Sequence, residues 1–134
     1  MGAAVTNEAV DLGIVVSDAE RSLAFYRDLL GFEALPEWEL PGGGGTMFPV
    51  RCGSTTIKLV QPGSPPAPGT GGFGQCGYRY CTIWVSNLAE IVEACAAAGH
   101  RVVVPVTEVR PGSSISIVED PDGNWVEFAT TAAG

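Results

Sequence analysis

Four side chains in this sequence are equipped for chemistry: Asp11, Lys58, Tyr80 and Glu127. Glu127 ends the run Asp120-Pro121-Asp122-Gly123-Asn124-Trp125-Val126-Glu127, which reads as a tight turn entering a strand. Strand alternation sets Glu127 on the face opposite Val126 and Phe128. A carboxylate held among apolar neighbours needs a partner, because a charge taken out of water is costly. The other three residues are tied to it by an internal repeat. Ile14-Val15-Val16-Ser17-Asp18 matches Ile83-Trp84-Val85-Ser86-Asn87 after a shift of 69 positions. The same shift sets Asp11 against Tyr80 and Lys58 against Glu127. Two carboxylates, an ammonium and a phenol are the parts of acid–base chemistry: Glu127 or Asp11 as general base, Tyr80 or Lys58 as acid or oxyanion partner. The same set also reads as a structural ion pair without chemistry.

The elements that carry these residues follow from periodicity. Ala9–Val16 alternates as a strand, and Ser17-Asp18-Ala19-Glu20 has the capping-box pattern that opens a helix. Leu23, Tyr26 and Leu30 recur at helical spacing, widened by Phe25 and Leu29, and Gly31 supplies the stop. Phe32–Leu40 reads as a strand that Pro36 confines to an edge or bulge, and Pro41–Gly45 as a hairpin tip. Met47–Arg51 and Thr55–Val60 are two further strands. Gln61–Gly77, rich in proline and glycine and without periodicity, reads as a linker.

The second half repeats the plan. Tyr78–Val85 is a strand, Asn87-Leu88-Ala89-Glu90 a second capping box, and Leu88, Ile91, Val92, Cys95 and Ala98 a helical stripe ended by Gly99. Arg101–Val104, Thr107–Val109, Ser114–Val118 and Trp125–Ala129 supply strands. The expectation is one α+β domain of two βαβββ modules, 9–61 and 78–130, joined by a linker over 62–77. If each helix covers one sheet face, the other face carries Asp11, Gly13, Val15, Lys58, Tyr80, Thr82, Trp84, Trp125 and Glu127. That polar and aromatic set suits a ligand cavity better than a packed interior, with Thr82, Trp84, Trp125 and Trp38 as candidate ligand contacts.

Composition narrows the function classes. Hydrophobic residues make up 46% of the 134 and charged residues 16%, enough apolar material for a core. The 15 acidic residues against 7 basic ones give a net charge of −8, which argues against a nucleic-acid surface and accommodates neutral or cationic small ligands. Nothing near Met1 resembles a signal peptide, and no apolar run is long enough for a membrane span, so a cytoplasmic setting is expected. Cys52, Cys76, Cys81 and Cys95 form no CxxC pair and read mostly as buried small hydrophobes. Gly69–Gly74 fits GxGxxG, yet it precedes a strand, where a dinucleotide fingerprint must follow a strand and open a helix. Gly42–Gly45 lacks the lysine of a phosphate loop, and no histidine lies near a serine to activate it. His100, the lone histidine, sits in the turn after the second helix and reads as structural.

Gly13–Phe32, Gly99-His100-Arg101 and Asp120–Phe128 together resemble the vicinal-oxygen-chelate superfamily of glyoxalases, bleomycin-resistance proteins and extradiol dioxygenases. The resemblance spans about Asp11 to Ala129 and implies paired βαβββ modules forming a cupped sheet around a pocket, usually in a homodimer. It also implies a divalent metal on four residues, typically His, Glu, His and Glu, at positions that fall here on Asp11, Lys58, Tyr80 and Glu127. Only Glu127 matches. A protonated lysine has no lone pair and a neutral phenol is a poor ligand, so no metal or other cofactor is expected. Lys58 instead stands where its charge would replace the metal's, facing Glu127 and Asp11 in a metal-free polar floor. Two functions follow: a bleomycin-resistance-like protein that binds a small aromatic or antibiotic-like molecule, or a metal-independent lyase, isomerase or cyclase. A weaker alternative is a metal-dependent epimerase, lyase or dioxygenase using Asp11 and Glu127.

Overall fold

Each half of the chain runs strand, helix and then strands that close a sheet. The computed structural model describes residue 2 and residues 4–64, 69, 73–74 and 77–131. Unit one, Met1–Ala67, holds β1 (Leu12–Val15), α1 (Ala19–Leu23) with a π-helical continuation (Ala24–Leu29), β2 (Glu33–Ala34), β3 (Trp38–Glu39), β4 (Thr46–Cys52) and β5 (Thr55–Gln61). Unit two, Pro68–Gly134, holds β6 (Tyr80–Trp84), α2 (Leu88–Ala97), β7 (Val102–Arg110), β8 (Ser113–Glu119) and β9 (Trp125–Thr131). The first sheet is ordered β1-β5-β4-β2 with β3 also on β4, and the second β6-β9-β8-β7. This is the α+β, two-module plan expected from the sequence. Cys76 and most of the Gly69–Gly74 motif lie outside the described residues.

The repeat in sequence is a repeat of strand register. β1 runs parallel to β5 with Gly13 opposite Lys58, and β6 runs parallel to β9 with Thr82 opposite Glu127. Ile57, Leu59 and Val50 are buried in unit one, and Val126, Phe128 and Val118 in unit two. These residues lie on the helix-covered faces, where α1 packs on β5 and α2 on β7, β8 and β9. Burying each such side chain contributes about 1.5–3 kcal/mol, so the helix-covered faces carry most of the stability.

Local chemistry adjusts the expected boundaries. The first strand begins at Leu12 rather than Ala9. Asp18, not Ser17, caps α1: its carboxylate accepts from the Glu20 and Arg21 amides, while the Gln61 side chain accepts from the Ala19 amide. The helix widens to a π turn after Leu23, placing Phe25 and Tyr26 side by side in the core, their rings 4.8 Å apart edge to face. Asn87 caps α2 without a side-chain bond to the helix amides; its amide nitrogen donates to Glu90 instead. At the other end Gly99, at φ 91°, closes a Schellman motif in which His100 and Gly99 donate to the carbonyls of Cys95 and Ala96.

Proline explains the remaining differences. The Phe32–Leu40 strand is two short pieces, because Pro36 interrupts it, and both pair along β4. Conversely, the two strands expected around Pro105 are one strand, β7, with register shifts. Where its ladder slips, the buried Ser116 hydroxyl donates to the Val104 carbonyl at 2.7 Å, and Thr107 donates to the Pro105 carbonyl at 2.6 Å. Side chains thus replace the missing strand bonds.

Asp120 holds the turn that aims β9. It is 4% exposed, and its carboxylate accepts the Asp122 and Asn124 amides and the Asn124 side-chain amide, each at 2.9 Å. Removing it strands three donors, so Asp120→Ala is expected to cost about 2–4 kcal/mol in urea unfolding, and a loss below about 1 kcal/mol would contradict this role. Cys95, fully buried, has its thiol pushed up from 9.0 to about 11 by desolvation. Unfolding releases that thiol to ionise first, so its contribution is complete below about pH 9 and is lost as pH rises toward 11. Cys95→Ala is expected to flatten the alkaline fall in stability over that window; an unchanged slope would refute the assignment.

Candidate functional site

In unit two the parallel pairing of β6 and β9 builds one face row by row. Tyr80 lies opposite Trp125, Thr82 opposite Glu127 and Trp84 opposite Ala129. Alternation keeps these side chains on the face away from α2. The Thr82 hydroxyl donates to Glu127 Oε1 at 2.6 Å, which orients the carboxylate with a neutral partner. Tyr80 is 49% exposed and Trp84 63%, whereas Trp125 and Glu127 are half-buried. Core packing is therefore not what Trp84 is for.

Phe73 completes this face, and the sequence reading missed it. Its ring stands edge-on to Trp125 at 5.4 Å and to Tyr80 at 6.4 Å. Phe73 falls in the Gln61–Gly77 stretch that reads as a linker, and its signal is that it is the one large apolar residue between Gly69 and Gly77.

Unit one places Asp11, Lys58 and Trp38 on the corresponding face of its own sheet. The Lys58 ammonium lies 3.8 Å from Asp11 Oδ2, and Asp11 Oδ1 accepts the Thr56 amide at 3.1 Å. Gly13, opposite Lys58 and without a side chain, leaves open the space beside this pair. Trp38 stands in register with Met47, which is in register with Val60, and Trp38 is exposed at the sheet's edge. All eight residues singled out in the sequence lie on the faces opposite the helices, three in unit one and five in unit two.

The model of the Glyoxalase/Bleomycin resistance protein/Dioxygenase superfamily matches residues 8–128. The chain belongs to this superfamily. A lactoylglutathione lyase of Salmonella typhimurium is 32% identical over 118 residues, covering 84% of each chain. Among solved structures, a glyoxalase family protein of Bacillus cereus shares the fold at a TM-score of 0.80 and 16% identity, over 96% of this chain and 99% of that one. The trypanothione-dependent glyoxalase I of Leishmania major is similar at a TM-score of 0.71 and 25% identity, over 90% of this chain and 84% of that one.

The four positions that superfamily resemblance assigns to a divalent metal do not carry a fitting donor set here. Lys58 offers a cation in place of a lone pair and pairs with Asp11, and Tyr80 offers an exposed phenol. Among the described residues, no group of three or more His, Cys, Asp or Glu is placed to hold a metal ion. What the arrangement offers is a carboxylate between aromatic rings, and a separate carboxylate–ammonium pair. That pair is open, at 40% and 41% side-chain exposure, so it contributes about 0–1 kcal/mol. Lys58→Met should therefore lower stability by less than about 1 kcal/mol in thermal or urea unfolding; a cost above about 3 kcal/mol would mark a buried structural pair instead.

Proposed function

We propose that this superfamily member binds a small aromatic or antibiotic-like molecule without a metal, as a cytoplasmic homodimer. The observation that carries the reading is the open face of unit two, where Tyr80, Trp84, Trp125 and Phe73 flank the Glu127–Thr82 pair. Exposed aromatic side chains gathered on one face lower the free energy of the complex by stacking, not of the fold by burial. Within unit one, Asp11 and Lys58 form a polar pair that holds no metal in this reading. No helix among the described residues is long and apolar enough to cross a membrane.

A metal-independent acid–base lyase, isomerase or cyclase is the second reading. It is favoured by the geometry at Glu127: Thr82 fixes one carboxylate oxygen, leaving Oε2 to take a proton from a bound molecule, with the Tyr80 phenol on the same face. Recovery of a bound compound unchanged supports binding, while turnover abolished by Glu127→Gln supports catalysis.

The relatives named lactoylglutathione lyase supply the test against metal chemistry. With Zn²⁺ or Ni²⁺ added, the purified protein is expected to form S-lactoylglutathione from methylglyoxal and glutathione no faster than the uncatalysed background. Metal-stimulated formation that disappears in Glu127→Gln would overturn the metal-free reading.

A further inference from the structure

We infer that the ligand is an organic cation with a flat aromatic body, its charge held at Glu127 and its rings on Phe73, Tyr80, Trp84 and Trp125; this rests on the small-molecule reading above. Charge decides the class. Within unit one the Lys58 ammonium has a carboxylate of its own, Asp11 Oδ2, at 3.8 Å. Within unit two the hydrogen-bond partner of Glu127 is the neutral Thr82 hydroxyl, and among its described residues no cation pairs with Glu127. The Thr82 hydroxyl orients that half-buried carboxylate but brings no opposite charge to it.

The surroundings point the same way. The rows flanking Glu127 along β6 and β9 are aromatic, and ring faces carry negative electrostatic potential that favours a cation over a neutral or anionic molecule of the same shape. Phe73 meets Trp125 and Tyr80 in T-shaped pairs, adding a third ring to the row before Glu127. A net charge of −8 attracts cations and repels anions at a distance. An anionic conjugate would bring a second negative charge against Glu127.

Three flat probes of nearly equal size separate shape from charge: N-methylquinolinium, neutral quinoline and quinoline-2-carboxylate, titrated at about pH 8 by calorimetry and tryptophan fluorescence. The cation is expected to bind about tenfold or more tighter than quinoline, and the carboxylate more weakly than quinoline. Glu127→Gln should erase the cation's advantage over quinoline. Phe73→Ala, an exposed position, should weaken cation and neutral probe together. On the wild-type protein alone, added salt should weaken the cation and spare quinoline. Equal binding of all three probes, or a cation preference that survives in Glu127→Gln, overturns the charge assignment while leaving small-molecule binding intact. Binding of none of the three overturns both.

Discussion

The parallel pairing of the first and last strands of each unit is the constraint on which everything else depends. It brings residues 45 apart in the chain into register, Gly13 with Lys58 and Thr82 with Glu127. Because side chains alternate, that register also decides which residues meet the helix and which do not. A slip of one residue would turn Glu127 and Lys58 into the apolar layers beneath α2 and α1. The register is held from both sides: Ile57, Leu59, Val126 and Phe128 lose their burial if it moves, and Asp120 fixes the start of β9 through three hydrogen bonds.

The two copies of this unit have diverged in what they display on the freed face. Unit one shows an ion pair beside a glycine, with Trp38 at the edge. Unit two shows a carboxylate in an aromatic setting. A divalent metal requires converging lone pairs, and neither unit's display offers them; an aromatic molecule requires ring faces, and unit two offers four side chains. Superfamily membership supplies the scaffold, and these substitutions decide what the scaffold is suited to hold.

Most of the fold was legible in the sequence because apolar alternation, the 69-residue repeat and the glycines at Gly31 and Gly99 all pointed to one arrangement. The eight candidate residues fall on the expected faces for the same reason, since a strand's period of two needs only its register. What was not legible depends on contacts distant in sequence. The cap at Asp18 prevails over Ser17, with Gln61, forty-two residues beyond Ala19, accepting the Ala19 amide and completing the helix start. The continuity of β7 past Pro105 relies on the Ser116 hydroxyl in the neighbouring strand. Phe73 was hidden because no periodicity links a lone aromatic to a sheet it reaches from a glycine-rich segment.

The occupant proposed for this superfamily scaffold is an organic ligand and not a metal. Native mass spectrometry of the protein purified without chelators from its own cells, with elemental analysis of the same sample, tests it most directly. An organic adduct carrying an aromatic chromophore, with no stoichiometric zinc, nickel or iron, is the expected result. A divalent ion bound in equal amount to the chain, displaced when Glu127 is changed to Gln, would contradict it.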